Sequence, residues 1–204
     1  MRTERQSYDI VVVGGGLAGV CASIAAARAG KRVALIQNRP VLGGNSSSEV
    51  RVWVCGATAH GVHHYARETG IMGELFVENQ YRNPDGNPYY WDLTVLEAVR
   101  AEPNLELFLN TDVRTVDAGG PEDDRVITSV TGWQMGSERE ITFTADVFCD
   151  CTGDGLVGFL AGARYRTGRE PRSEFGEPWA PEVPDDNTLG STILFYTKDV
   201  GHPV

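Results

Sequence analysis

The run Tyr8-Asp9-Ile10-Val11-Val12-Val13 places apolar residues at consecutive positions, without the alternation of a half-solvated strand. A continuous β-branched run of this length is the habit of a strand covered on both faces, so residues 9–13 are expected to form a buried parallel strand. Gly14-Gly15-Gly16-Leu17-Ala18-Gly19 follows, and the Ala-rich stretch 17–29 reads as a helix that Gly30 ends from the C′ position. A second short apolar strand over 33–36 completes a βαβ unit.

Further along, Val50-Arg51-Val52-Trp53-Val54 alternates and reads as a strand with its valines on one face. Residues 66–81 are expected to be helical, with Ile71, Leu75 and Phe76 near one face, and Asn83-Pro84-Asp85-Gly86-Asn87-Pro88 is a turn cluster. A helix over 92–101 has Asp92 as its candidate N-cap. Residues 105–109 form the expected third parallel strand. Three β segments at 112–117, 125–133 and 140–144 make a meander, and the 118–124 connection is a solvated hairpin loop. Residues 145–149 return to the parallel sheet, and 156–162 begin another helix. A new strand is expected at 164–168. A polar, proline-rich stretch then leads to a strand-like one at 188–198. The pattern predicts an α/β chain: a Rossmann-like domain over 1–162 with a helical insertion at about 66–101, and the start of a second domain over 163–204.

Charge narrows the partners. Acidic residues outnumber basic ones 28 to 18, for a net charge of −10; a phosphate backbone wants a basic surface, so nucleic acid is not expected as a partner. No apolar run reaches the ~18 residues of a membrane span. The opening Met1-Arg2-Thr3-Glu4-Arg5 carries an acid and does not read as a secretory signal, which makes a cytoplasmic location the expectation. Cys21, Cys55, Cys149 and Cys151 show no CxxC pair and no zinc-ligand spacing, and read as small buried side chains.

Chemistry concentrates at two strand ends. After 9–13, Gly14 permits a tight turn, Gly16 lets backbone approach a pyrophosphate, and Gly19 lets the helix pack close to the sheet, with the helix N-terminus facing the phosphates. With a strand before it and a helix after it, this reads as a dinucleotide-binding turn. At the end of the second strand, where an acid usually meets ribose hydroxyls, the chain has Gln37, then Asn38 and Arg39. An amide can serve a ribose, and Arg39 leaves open a 2′-phosphate as in NADP. Pro40-Val41-Leu42-Gly43-Gly44-Asn45-Ser46 is rich in backbone N–H groups and small polar side chains, suited to wrap phosphate or sugar, or to make a plain surface turn. The second strand end, Asp150-Cys151-Thr152-Gly153-Asp154-Gly155, sets a carboxylate where it can accept from sugar-chain hydroxyls, unless it is a structural acidic turn. His60, His63 and His64 form the densest titratable cluster and are the candidate catalytic residues, able to take a hydroxyl proton; the alternative is a set of solvated or packed histidines. Arg51 is a candidate anion binder, or a partner for Glu49.

These three blocks (the Gly14–Gly19 turn, the Pro40–Ser46 loop, and Thr152-Gly153-Asp154-Gly155 with Ala161-Gly162-Ala163) resemble the FAD-dependent oxidoreductases of the glutathione-reductase-like fold. The run 42–57 resembles the broad bacterial "FAD dependent oxidoreductase" family. The resemblance implies FAD as cofactor: Gly14, Gly16, Leu17, Ala18 and Gly19 at the pyrophosphate; Gln37, with Asn38 and Arg39, at the adenosine ribose; Gly43, Gly44, Asn45 and Ser46 along the pyrophosphate or ribitol; Val113 offering backbone to adenine; and Thr152, Gly153 and Asp154 at the ribitol. It further implies hydride transfer between flavin and a small organic substrate. Members are usually longer, so 163–204 is expected to be a substrate domain just begun, completed by further chain, a second chain or a homo-oligomer. A nucleotide-binding module without catalysis and an NAD(P)-binding protein are the alternatives.

Overall fold

The computed structural model describes residues 2–55, 61–63, 67–191, 194 and 197–203. They fall into two units divided between Gly162 and Ala163.

In the first unit a parallel sheet has the order β4-β3-β2-β8, from Leu105–Phe108 (β4), Val33–Ile36 (β3), Ile10–Val13 (β2) and Val147–Asp150 (β8). All three pairings are parallel. A second sheet has the order β1-β7-β6-β5, from Arg2–Ser7 (β1), Arg139–Thr144 (β7), Val126–Gln134 (β6) and Thr111–Gly119 (β5). The expected meander is β5-β6-β7, and β1 joins its edge in parallel to β7.

The unbroken apolar runs of β2 and β3 have a two-sided reason. Val11, Val13, Ala34 and Ile36 face a core shared with the meander residues Val113, Val130, Ile141 and Phe143. Val12, Val33 and Leu35 face the opposite core, closed by helices Leu17–Arg28 (α1), Gly70–Arg82 (α2) and Pro88–Arg100 (α3) through Val20, Ile24, Leu75, Trp91, Val95 and Val99. The sheet is thus the middle layer of three, and period-two alternation sends each strand's apolar residues into two cores at once. Phe108 and Phe143 meet edge to face at 4.8 Å between ring centres, joining the two sheets.

Several elements differ from the sequence reading. β1 was not expected, because RTERQS has no apolar face; its backbone pairing with β7, reinforced by Arg139 donating to Glu4 at 3.1 Å, holds it in place. Residues 50–54 form no strand: Arg51 takes a left-handed φ of 65°, which breaks the extended run. The helix expected at 92–101 begins one turn earlier, at Pro88, and its N-cap is Asn87, whose side chain accepts from the Tyr89 N–H at 3.0 Å; Asp92 is inside the helix. The 66–81 helix starts at Gly70, and residue 66 lies outside the described residues. Gly30 does follow α1 as its C′ residue, with φ of 81°.

In the second unit, 164–168 form no strand; Arg169 and Asp185 make an isolated antiparallel bridge. One short helix, Arg172–Phe175 (α5), and the ion pairs Arg166–Glu174 and Arg172–Glu182 tie the unit together. The described residues of 188–198 carry no strand, while 192, 193, 195 and 196 lie outside them. No helix among the described residues is long and apolar enough to cross a membrane.

Candidate functional site

The three glycines of the first turn serve three different contacts. Gly14 has φ of 107°, and a Cβ there would stand 2.3 Å from the Cys151 carbonyl oxygen, so this turn rests directly on the second glycine corner. A Cβ on Gly19 would fall 1.8 Å from the Gly14 carbonyl oxygen: α1 packs against its own turn backbone to backbone. A Cβ on Gly16 would meet no atom within 4 Å. Gly16 is the N-cap of α1, and no side chain caps that end, so the first-turn N–H groups are left to a ligand.

The loops around this turn are stitched to it. Gly14 N–H donates to the Ile36 carbonyl at 2.8 Å, and Gly43 N–H donates to the Gly15 carbonyl at 2.8 Å. Buried Gln37 links both sides: its Oε1 accepts from Gly15 N–H at 2.9 Å, and its Nε2 donates to the Val41 carbonyl at 3.1 Å. Both ends of the Gln37 amide hold backbone, while the residue also lines the cleft, so only one lone pair and one N–H remain to it for a ligand. Ser46 Oγ donates to the Gly43 carbonyl at 2.8 Å and accepts from Trp91 Nε1 at 3.0 Å, while Asp92 accepts from Ser48 N–H at 2.8 Å. The helical insertion is therefore a buttress for the 43–48 loop, and Asp92 works there rather than as a cap.

The second corner is shaped by Asp150, the first acid of its motif, and not only by Asp154. Asp150 Oδ1 accepts from the Thr152 hydroxyl at 2.6 Å and from Thr152 N–H at 3.1 Å, and its Oδ2 accepts from Gly158 N–H at 2.9 Å. Thr152 Oγ1 in turn accepts from Leu156 N–H at 2.8 Å, at the start of helix Leu156–Leu160 (α4). Burial works against ionisation of Asp150, but the hydrogen bonds donated by Thr152, Gly158 and Val157 outweigh it and hold its carboxyl below the usual range. The neighbouring Cys151 goes the other way: burial pushes its thiol up, with Cys149 and Asp150 adding to the rise, so it stands as a neutral thiol. None of the four cysteines is fully buried as expected: Cys21, Cys149 and Cys151 are half-buried and Cys55 is exposed.

Both corners open onto one cleft of about 900 Å³, at the upper end of small-molecule sites. Of the residues expected at a cofactor, Gly14, Gly16, Gln37, Asn38, Arg39, Gly44, Asn45, Val113, Thr152, Gly153 and Asp154 line it. Leu17, Ala18, Gly19, Gly43 and Ser46 stand behind the lining, in the first turn of α1 or in the loop contacts above. Glu49, Thr111, Asp112 and Phe159 also line the cleft and carry no sequence motif that singles them out. Glu49 pairs with Arg39 through both carboxylate oxygens, at 2.7 and 2.9 Å, and this contact holds its carboxyl below the usual range despite some burial. The expected Arg51–Glu49 pair is thus replaced; Arg51 Nε donates to the Ser48 carbonyl at 2.9 Å, and its guanidinium lies 5.8 Å from the Tyr89 ring centre. Among the histidines, His63 is exposed and outside the cleft lining, while His60 and His64 lie outside the described residues.

This donor set suits a long dinucleotide. An uncapped helix end and an open Gly16 suit a pyrophosphate, and carboxylates at both ends of the cleft (Glu49 and Asp112 at one, Asp154 at the other) suit sugar hydroxyls.

Comparison with known proteins agrees. A 70-residue stretch is 39% identical to 4-oxocyclohexanecarboxylate 2-dehydrogenase from Sinomonas cyclohexanicum, covering 34% of this chain and 11% of that protein. A 39-residue stretch is 54% identical to the soluble pyridine nucleotide transhydrogenase of Ectopseudomonas mendocina, covering 19% of this chain and 8% of that one. The matches thus span about a tenth of the length of these curated relatives. In fold, the chain is similar to a geranylgeranyl bacteriochlorophyll reductase-like protein from Thermoplasma acidophilum, with a TM-score of 0.55 and 16% identity over 78% of this chain and 43% of that one. The family model described as FAD dependent oxidoreductase matches residues 9–202, a span that contains both glycine corners and the loop between them. The chain therefore belongs to the FAD dependent oxidoreductase family, and FAD is the cofactor its cleft is built for.

Proposed function

We propose that residues 2–162 hold FAD along the cleft as part of an oxidoreductase acting on a small organic molecule. The observation that carries this reading is the contact between the two glycine corners: the Gly14 turn sits against the Cys151 backbone, so pyrophosphate and ribitol sites adjoin within one channel. FAD, when bound, supplies the hydride and electron transfer. The residues of this chain supply the rest. The first-turn N–H groups of α1 face the pyrophosphate, Asp154 accepts from the ribitol hydroxyls, and backbone near Val113 meets the adenine. Asp150 and Thr152 fix the second corner from behind.

His60, His63 and His64 follow the cofactor loop in sequence and are the groups proposed to take or return the substrate's proton, since imidazole changes charge near neutral pH. Residues 163–204 are proposed as part of a substrate domain. A cytoplasmic location fits the acidic, span-free sequence. The test is reconstitution: purified protein mixed with FAD and desalted should keep the visible flavin absorbance, and candidate donors should bleach it. Protein that retains no flavin refutes the assignment.

A second reading draws support from His63, which is exposed and not among the residues lining the cleft. In it this chain holds the nucleotide while catalytic groups come from elsewhere. Flavin that binds but resists reduction by every donor class would favour it.

A further inference from the structure

We infer that Glu49, held by Arg39, is the residue that recognises the adenosine ribose, a role displaced from the end of β3 to the neighbouring loop. The inference rests on the proposed dinucleotide cleft and assigns one of its contacts.

The position at the strand end is occupied by an amide already committed to structure. Gln37 Oε1 receives the Gly15 N–H and Nε2 serves the Val41 carbonyl, in a side chain only 7% exposed. A carboxylate at 37 would set a negative oxygen against that carbonyl, so the amide is what this pair of loops requires. What Gln37 keeps for a ribose is one uncharged lone pair and one N–H, so a charged acceptor at that end of the cleft would be the stronger partner.

Two acids line it there, Glu49 and Asp112, and they differ in setting. Asp112 pairs with Arg114 on its own strand at 3.3 Å. Glu49 is clasped in the fork of Arg39, two residues beyond Gln37, with one guanidinium nitrogen on each carboxylate oxygen. A bidentate clasp fixes the plane of the carboxylate and leaves each oxygen a second lone pair for a hydroxyl donor. It also neutralises Arg39. A 2′-phosphate would meet a guanidinium already satisfied and the Glu49 carboxylate that satisfies it, so the pair that admits a ribose diol rejects its phosphorylated form.

The experiment measures binding of ADP, 2′-deoxy-ADP and 2′,5′-ADP to the apoprotein by calorimetry, alongside FAD. The wild type should prefer ADP to 2′-deoxy-ADP by about tenfold, the discrimination expected of a hydroxyl bonded to a charged acceptor. Glu49→Ala should bring that ratio close to one and strengthen 2′,5′-ADP, because Arg39 is then released. Gln37→Leu, which disturbs the loops, should weaken ADP and 2′-deoxy-ADP alike and keep their ratio. Retention of the ratio in Glu49→Ala, or its loss in Gln37→Leu, overturns the inference and leaves the flavin reading standing. Wild-type protein that binds neither ADP nor FAD overturns both.

Discussion

Substituting Gly19 and Gly16 by alanine separates folding from ligand contact within a single turn. At Gly19 the added methyl would overlap the Gly14 carbonyl oxygen at 1.8 Å, and the clashing atom is backbone, not the tip of a flexible side chain. Relief requires α1 to move off its turn by more than about 1 Å, which opens the packing of Val20 and Ile24 against the sheet, so the cost sits at or above the upper end of the ~1–3 kcal/mol typical of overpacking. At Gly16 the methyl enters open cleft. Loss of a glycine N-cap and gain from a stiffer unfolded chain are each below about 1 kcal/mol and opposite in sign, so stability should barely change. Urea unfolding of the apoproteins, followed by far-UV circular dichroism, reads the first effect. FAD titration reads the second: Gly16→Ala should unfold at the wild-type midpoint yet bind FAD at least tenfold more weakly. A Gly19→Ala protein with an unchanged midpoint and slope, or a Gly16→Ala protein with full affinity, would refute this division of labour.

Other outcomes follow from the same contacts. Gln37→Leu leaves the buried Gly15 N–H and Val41 carbonyl without their partner and should cost about 1–3 kcal/mol of apoprotein stability in urea titration. Phe143→Ala empties a fully buried site between the two sheets and should cost about 3–5 kcal/mol, read from the same transition. Asp150→Asn should destabilise at neutral pH by weakening the hold on Thr152 and Gly158. Since the folded carboxyl titrates below its unfolded value, the stability it contributes is full above the unfolded pKa of ~3.9 and fades as pH falls through the lower folded value. The gap between wild type and variant should thus be constant from neutral pH down to that point and close below it; a gap that widens in acid would contradict the assignment.

The middle sheet was legible because burial on both faces leaves an unmistakable trace: no polar position survives within 10–13 or 33–36. The meander was legible through its glycine- and aspartate-bearing turn. β1 left no such trace, since an edge strand held through its backbone and a charged contact to β7 puts no demand on apolar alternation. The false strand at 50–54 shows the converse. Its alternation is real, but the extended conformation fails at Arg51, where contacts to the Ser48 carbonyl and the Tyr89 hydroxyl accompany a turn. Periodicity describes which faces a segment offers, and local hydrogen bonding decides whether the backbone uses them.

For the site the boundary falls between backbone and side chain. Glycine requirements come from steric limits that act within a few residues, so Gly14 and Gly19 declare their close backbone contacts in sequence, and Gly16 its open surface. Side-chain partners are set by what the fold brings together. Asp92 has a helix-start position in sequence yet meets Ser48, 44 residues away; Glu49, one candidate partner for Arg51, meets Arg39. Gln37 combines the two cases. Its departure from an acid is visible in sequence, but its reason is not, because that reason is a carbonyl four residues on, in the turn after β3, and an amide 22 residues back, in the turn after β2. A residue whose sequence position points only to a ligand is thus also a structural joint between two loops.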